Sequence, residues 1–165
     1  RIVADFPQAQ LRLIGDGPLE TQLVELIRSF GPAVEQRVLR LGRVNHAAFA
    51  QEAEHAHIFM APSVIGRDGD SEGGAPTVLL EMQARGLPVL STFHADIPEV
   101  VVDGGSGLLV PERDEAALGE KLHELLAHPE RWADMGRVGR NHIEQQHDIV
   151  KLAQQLEDKY EQLLH

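Results

Sequence analysis

The residues best suited to chemistry lie in the stretch Gly66-Arg67-Asp68-Gly69-Asp70-Ser71-Glu72-Gly73-Gly74-Ala75-Pro76-Thr77. Gly73 and Gly74 carry no Cβ, so a ligand can approach the backbone closely there. Pro76 suits the first turn of a helix, and the free amides that follow it, at Thr77 and Val78, favour an anion such as a diphosphate. A surface loop has the same composition, because Gly-rich turns before helices are common; the local pattern leaves both readings open. Glu81 follows one turn into the helix, and Thr77, Glu81 and Arg85 fall four apart on one stripe. A solvated Glu81–Arg85 pair would explain that stripe. A carboxylate accepting hydrogen bonds from ribose hydroxyls would explain it equally well.

Other chemistries fit less well. Asp68-Gly69-Asp70 resembles the start of a calcium loop with Gly73 at the sixth place. The twelfth place is Leu79, where that loop needs a bidentate glutamate, and the fifth is Glu72. Among nine histidines, His55 and His57 have no third ligand at a telling spacing and read as surface residues. His94 follows the strand Val89-Leu90-Ser91 at its carboxyl end, a position that could line a cleft. No Gly-x-Ser-x-Gly elbow is present for a nucleophile. Gly15-Asp16-Gly17-Pro18 is not the Gly-x-Gly-x-x-Gly of a nicotinamide dinucleotide site. Trp132 and Met135, three apart on a closing helix, read as core contacts.

The elements that must position these residues alternate between short apolar runs and helical patterns, the mark of β-α units on a parallel sheet. Strands are expected at Leu11–Ile14, Val38–Leu41, His57–Ala61, Pro88–Ser91 and Gly107–Val110. Helices are expected from Pro18 to Ser29, from a cap at Asn45 to Ala53, from Pro76 to near Gly86, and as a short turn from Ile97 to Val102. From Asp114 onward the pattern is helical, interrupted at Pro129 and near Asp148. The opening residues Arg1 to Pro7 read as the tail of a helix whose strand lies upstream, so the chain reads as a fragment.

With 165 residues the chain can bury one core. Fifteen basic residues stand against twenty-six acidic, a net charge of −11 with no Lys/Arg cluster, and aromatics make up only 4%. Both facts argue against a nucleic-acid partner. The absence of cysteine excludes disulfides and thiolate metal sites.

An ordered set of segments resembles the C-terminal domain of family-4 retaining glycosyltransferases of the GT-B fold. The set is Leu13 to Pro18, Leu41 to Val44, Ala61-Pro62-Ser63, Glu72 to Val89, Ile97 to Val101, Gly107 to Val110 and Met135-Gly136. The wording from Gly69 to Glu81 is similar to transferases that build bacterial exopolysaccharide and capsule. The resemblance covers essentially residues 1–165 and implies a Rossmann-like, doubly wound parallel α/β domain with C-terminal helices, one half of a GT-B fold.

What the resemblance implies for function is a nucleoside-diphosphate sugar donor, a uridine one by preference, and retaining transfer to a hydroxyl acceptor. The family has two glutamates with seven residues between them, the first on the donor sugar and the second on the ribose. Here eight residues separate Glu72 from Glu81, and seven-spacing would put Gly73 first. Glu72 keeps the catalytic, sugar-contacting role if Gly73-Gly74 is a one-residue insertion; Glu81 takes the ribose. Gly15 and Gly17 line the nucleotide cleft, and Arg43 and Val44 hold the base through backbone atoms. Gly73, Gly74, Ala75, Thr77 and Val78 complete the donor site. The family's basic diphosphate clamp would lie upstream of Arg1, and the acceptor and any peripheral membrane contact would belong to a missing domain. The isolated chain is therefore expected to be inactive, and its parent cytoplasmic or at the inner membrane face. Asp68-Gly69-Asp70 imitates a metal motif of a different glycosyltransferase fold, but the family needs no metal and no cofactor. The rivals are a related nucleotide-sugar epimerase and a non-catalytic nucleotide-binding module.

Overall fold

The structure is a computed structural model that describes residues 2–66, 68, 69, 71 and 73–164. Residues 1–55 and 56–165 form two compact units.

In the first unit, α1 (Ile2–Asp5) precedes β1 (Leu11–Ile14), α2 (Glu20–Ser29), α3 (Pro32–Glu35), β2 (Val38–Gly42) and α4 (His46–His55). β1 and β2 run parallel with Leu11 opposite Val38, and the register shifts between Leu13 and Ile14 so that Ile14 meets Gly42. Asn45 caps α4 as its sequence position suggests, its Oδ1 accepting the Ala48 N–H at 2.9 Å. Arg12 of β1 forms a two-pronged pair with Glu52 of α4, with Nη2 donating to Oε1 at 2.8 Å. The guanidinium holds the Glu52 carboxyl below its ordinary range. α3 is absent from the sequence reading. With four residues, Pro32 at its start and no buried side chain, it is too short to show a helical period.

In the second unit, β3 (Phe59–Ala61), β4 (Val89–Thr92) and β5 (Gly107–Val110) form a parallel sheet in that order, with β4 in the middle. Phe59 lies opposite Val89, and Val89 opposite Gly107. β4 and β5 are buried along their whole length; Leu108–Val110 of β5 and Val89-Leu90 of β4 accordingly show no apolar–polar alternation, while β4 ends on the buried hydroxyls of Ser91 and Thr92. Alternate side chains leave a strand on opposite faces. Val89 and Leu109 accordingly join Leu79, Ile97, Val100 and Val101 in one core cluster, while Leu90 and Leu108 join Leu125 and Met135 in another. The first cluster belongs to α5 (Thr77–Ala84) and α6 (Ile97–Val100), the second to α7 (Glu115–Ala127) and α8 (Trp132–Gln146). The sheet is thus covered on both faces, as the doubly wound reading requires.

Two breaks in the closing helices follow their sequence signals. Asp114 Oδ1 accepts the Ala117 N–H at 2.9 Å and starts α7, and a 3₁₀ turn at Pro129–Arg131 ends it. Asp148 Oδ1 accepts the Val150 N–H at 2.9 Å and starts α9 (Ile149–Leu164). β3 starts at Phe59, two residues later than expected. His57 stays exposed, with its ring 5.4 Å from that of Trp132. Met135 is buried in the core and Trp132 is half-buried, its Nε1 donating to the Leu125 carbonyl at 2.8 Å. α9 leaves Ile149, Leu152, Leu156, Tyr160 and Leu163 exposed along one stripe.

One buried polar network crosses the first cluster. Gln83, with no exposed surface, donates from Nε2 to the Val100 carbonyl at 2.7 Å, and Ser106 Oγ donates to Gln83 Oε1 at 2.6 Å. Ser106 in turn accepts the Val102 N–H at 2.9 Å. Gln83→Leu keeps the volume but strands the Val100 carbonyl and the Ser106 hydroxyl. It is expected to lower stability by about 1–3 kcal/mol, the usual cost of buried unpaired polar groups. Chemical denaturation measures it, and an unchanged midpoint would show that the network contributes nothing.

Candidate functional site

The loop from β3 to α5 opens on a clamped segment. Ser91 Oγ donates to the Ala61 carbonyl at 2.6 Å, and Thr92 Oγ1 to the Ser63 carbonyl at 2.5 Å. Both hydroxyls come from the carboxyl end of β4, the strand beside β3. Further along, the Ile65 N–H donates to Glu112 Oε2 at 2.9 Å, while Arg113 Nη2 donates to the Ile65 carbonyl. Glu112 also holds His94, with Oε1 and Nδ1 at 2.6 Å. The turns after β4 and β5 therefore fix the first half of the loop.

Glu112 is pushed below the ordinary carboxylate range, chiefly by the Ile65 N–H and next by His94. A lowered carboxylate adds stability above its unfolded-state pKa and loses it as pH falls through the folded-state value. Glu112→Gln should therefore melt below wild type at pH 7, and the gap should close under acid. A gap that persists unchanged at acid pH would rule out the carboxylate as its source.

A cleft of about 370 Å³ lies over this segment. Ser63, Val64, Gly66 and Asp68 line it from the first part of the loop, Gly74 and Pro76 from its end, and His94 from the turn after β4. It sits at the carboxyl ends of β3 and β4, where open parallel sheets place their ligands. Pro76 stands just before α5 rather than in its first turn, with ψ of 128°, and no described side chain caps that helix end. The missing proline N–H costs nothing at that position. Neither fold nor packing demands glycine at two loop positions: a Cβ on Gly73 would meet nothing within 4 Å, and one on Gly74 only Asp96 Oδ2 at 4.0 Å. That open space is what a ligand approaching the backbone would use.

The candidate residues fall in both units. In the second, Gly74 lines the cleft, Gly73 and Thr77 are exposed beside it, and Ala75 and Val78 are half-buried, Ala75 packing on the core. Glu81 is exposed on α5, one turn from the helix mouth. Glu72, the proposed sugar-contacting residue, lies outside the described residues, as do Arg67 and Asp70. In the first unit, the Gly15 N–H donates to the Gly42 carbonyl at 2.9 Å with Gly15 at φ of 127°. Arg43 Nη2 donates to Asp16 Oδ1 at 3.0 Å, while Gly17 is exposed and Val44 half-buried. His94, whose place after β4 left it able to line a cleft, does line it; Glu112, eighteen residues away, was missed. No spacing rule connects those two. Among the described residues, no group of three or more His, Asp or Glu side chains could hold a metal ion.

Comparison with known proteins agrees with this architecture. A family profile described as Glycosyl transferases group 1 matches residues 1–128. WcaL of Salmonella typhimurium, named as a colanic acid biosynthesis glycosyltransferase, is 42% identical over 114 residues, which is 68% of this chain and 27% of WcaL. A GDP-mannose-dependent monoacylated alpha-(1-6)-phosphatidylinositol monomannoside mannosyltransferase of Corynebacterium glutamicum is 36% identical over 144 residues, 87% of this chain and 36% of that one. The chain thus spans about a quarter to a third of the length of these relatives. Among solved structures, Anabaena Alr3699/HepE in complex with UDP-glucose superposes with a TM-score of 0.78 at 21% identity, over 94% of this chain and 42% of that one. The α/β fold is that of GT-B glycosyltransferases. By profile, relatives and fold together, the chain belongs to the group 1 glycosyl transferases.

Proposed function

We propose that this chain binds the nucleoside-diphosphate sugar, a UDP-sugar, for a retaining transfer to a hydroxyl acceptor in polysaccharide or glycolipid synthesis. The observation that carries the reading is the cleft at the ends of β3 and β4, with glycines that no described neighbour requires leading to a helix start that no described side chain caps. Gly73, Gly74, Ala75, Thr77 and Val78 would present that end to the diphosphate, whose departure the amides stabilise as charge develops. Glu81 would accept the ribose hydroxyls, and Glu72 would contact the donor sugar. Gly15 and Gly17 toward the nucleotide, and Arg43 and Val44 toward the base, belong to the same reading. No metal or cofactor takes part. The acceptor and any membrane contact belong to other parts of the full-length protein, at work in the cytoplasm or on the inner membrane face. Among the described residues no helix is long and apolar enough to cross a membrane.

UDP is favoured because HepE, of the same fold, is seen with UDP-glucose. The mannosyltransferase relative is named for GDP-mannose, so the base is the second reading to test. The full-length protein should be assayed with UDP- and GDP-sugars, with and without EDTA, and the anomeric configuration of product read by NMR. Transfer from a UDP-sugar with retention, insensitive to EDTA, is the expected result. Transfer from GDP-sugars alone would overturn the UDP reading, and an inverted product the retaining one. Epimerised donor, or binding without turnover, would replace the transferase by one of its rivals.

A further inference from the structure

We infer that His94 contacts the sugar part of the donor, accepting a hydroxyl hydrogen at Nε2, and that Glu112 is the positioning residue that aims it. This rests on the nucleotide-sugar reading and goes beyond it by assigning two residues and the part of the ligand they serve.

Three observations converge. His94 is only 4% exposed yet lines the cleft, and its Nδ1 is occupied by Glu112 at 2.6 Å. An ionised carboxylate can only accept hydrogen bonds, so Nδ1 carries the proton whenever the ring is neutral, and Nε2 then offers a lone pair. Nε2 is the ring nitrogen left for a ligand.

Strain is concentrated in the same two turns. Among the described residues, the non-glycine residues with positive φ are Ala95, at 44°, and Arg113, at 60°. Each is the immediate neighbour of one member of the pair. A backbone held in this region is unfavourable for a residue with a Cβ, and it persists where surrounding contacts over-determine it. Here those contacts are the His94–Glu112 bond, the Ile65 N–H on Glu112 and the Arg113 bond to the Ile65 carbonyl.

The charge of the surroundings selects the part of the ligand. Asp68 lines the cleft, and Asp96 Oδ2 lies 4.0 Å from where a Cβ on Gly74 would be. Among the described lining residues there is no Lys or Arg. A phosphate oxygen would face the Asp96 carboxylate on this side, whereas sugar hydroxyls have hydrogens to donate to it and to His94. The diphosphate is left to the amides at the start of α5.

His94→Asn separates a ligand contact from a structural one. The Asn amide can still donate to Glu112 from the place of Nδ1, but nothing replaces Nε2. In the full-length protein, kcat/KM is measured for whichever of UDP-glucose and GDP-mannose is turned over. Inhibition by the matching free diphosphate, UDP or GDP, is measured beside it, with Tm for each variant. Loss of one neutral hydrogen bond should lower kcat/KM by about three- to tenfold, with inhibition by the diphosphate and Tm unchanged. Glu112→Gln should lower kcat/KM by a similar factor with inhibition by the diphosphate unchanged, in addition to its lower Tm at pH 7, because an amide donating to Nδ1 moves the ring proton to Nε2; the double variant should add little to the kinetic loss. Full donor efficiency in His94→Asn would overturn the inference, as would equal losses for sugar nucleotide and free diphosphate. A wild-type protein that binds neither nucleotide pair would overturn the nucleotide-sugar reading itself, and this inference with it.

Discussion

Glu81→Gln in the full-length protein should lower donor kcat/KM by roughly ten- to a hundred-fold. The substitution keeps shape and helix propensity and removes only the charge. Hydrogen bonds that involve a charged group are worth about 1.5–3 kcal/mol, and each decade of rate is about 1.4 kcal/mol. Glu81 is exposed on α5, so a change in fold stability is not the expected route to that loss. Arg85→Gln is the control. It removes the other charge on the stripe without touching a ribose, and should leave donor efficiency near wild type. If Glu81 does no more than pair on a solvated helix face, the cost is about 0.3–0.5 kcal/mol of stability and the kinetics stay flat. Both variants keeping parental efficiency, or both losing it equally, would remove the ribose role.

The largest stability effect is expected at Gly136 on α8. A Cβ there would fall 2.0 Å from the Gly86 carbonyl oxygen and 2.8 Å from its carbonyl carbon. These are backbone atoms, so no side chain can swing away; the helix or the turn must move. Alanine in a helix gains about 1 kcal/mol over glycine in propensity, but overpacking a buried contact costs about 1–3 kcal/mol and occasionally more. With a contact this short the clash should win, lowering Tm by several degrees. Gly73→Ala and Gly74→Ala are the comparison, because their Cβ positions meet open space. Both should melt like wild type while weakening donor binding. A Gly136→Ala protein as stable as its parent would show that α8 shifts at little cost.

Most of the fold was legible in the sequence because its signals are local. Asn45, Asp114 and Asp148 each accept the backbone bond that a helix start needs, and Pro129 interrupts the helix where it stands. The short apolar runs Val89-Leu90 and Leu108–Val110 marked the strands β4 and β5. What escaped was either too short or not local. α3 spans barely one turn. His57 looks like a strand residue, yet its ring lies beside Trp132, far along the chain. Pro76 suited the first helical turn by residue type, but its ψ of 128° places it one step outside. At the site, the glycines and Glu81 stood out by composition and spacing. The partnership of Glu112 with His94 and Ile65 depends on three β-α turns meeting at one end of the sheet, which no pattern in one dimension shows.

The clamped segment after β3 also bears on how tightly a ligand can be held. Fixing the backbone of one residue costs about 1–2 kcal/mol in conformational entropy. Were residues 62–66 free to wander, a ligand would have to order them on arrival, at a cost of order 5–10 kcal/mol. That rivals the whole binding free energy of a micromolar ligand, about 8 kcal/mol. Ser91, Thr92, Glu112 and Arg113 impose that order through hydrogen bonds within the fold itself. Contacts made along this wall of the cleft can therefore count almost in full toward affinity.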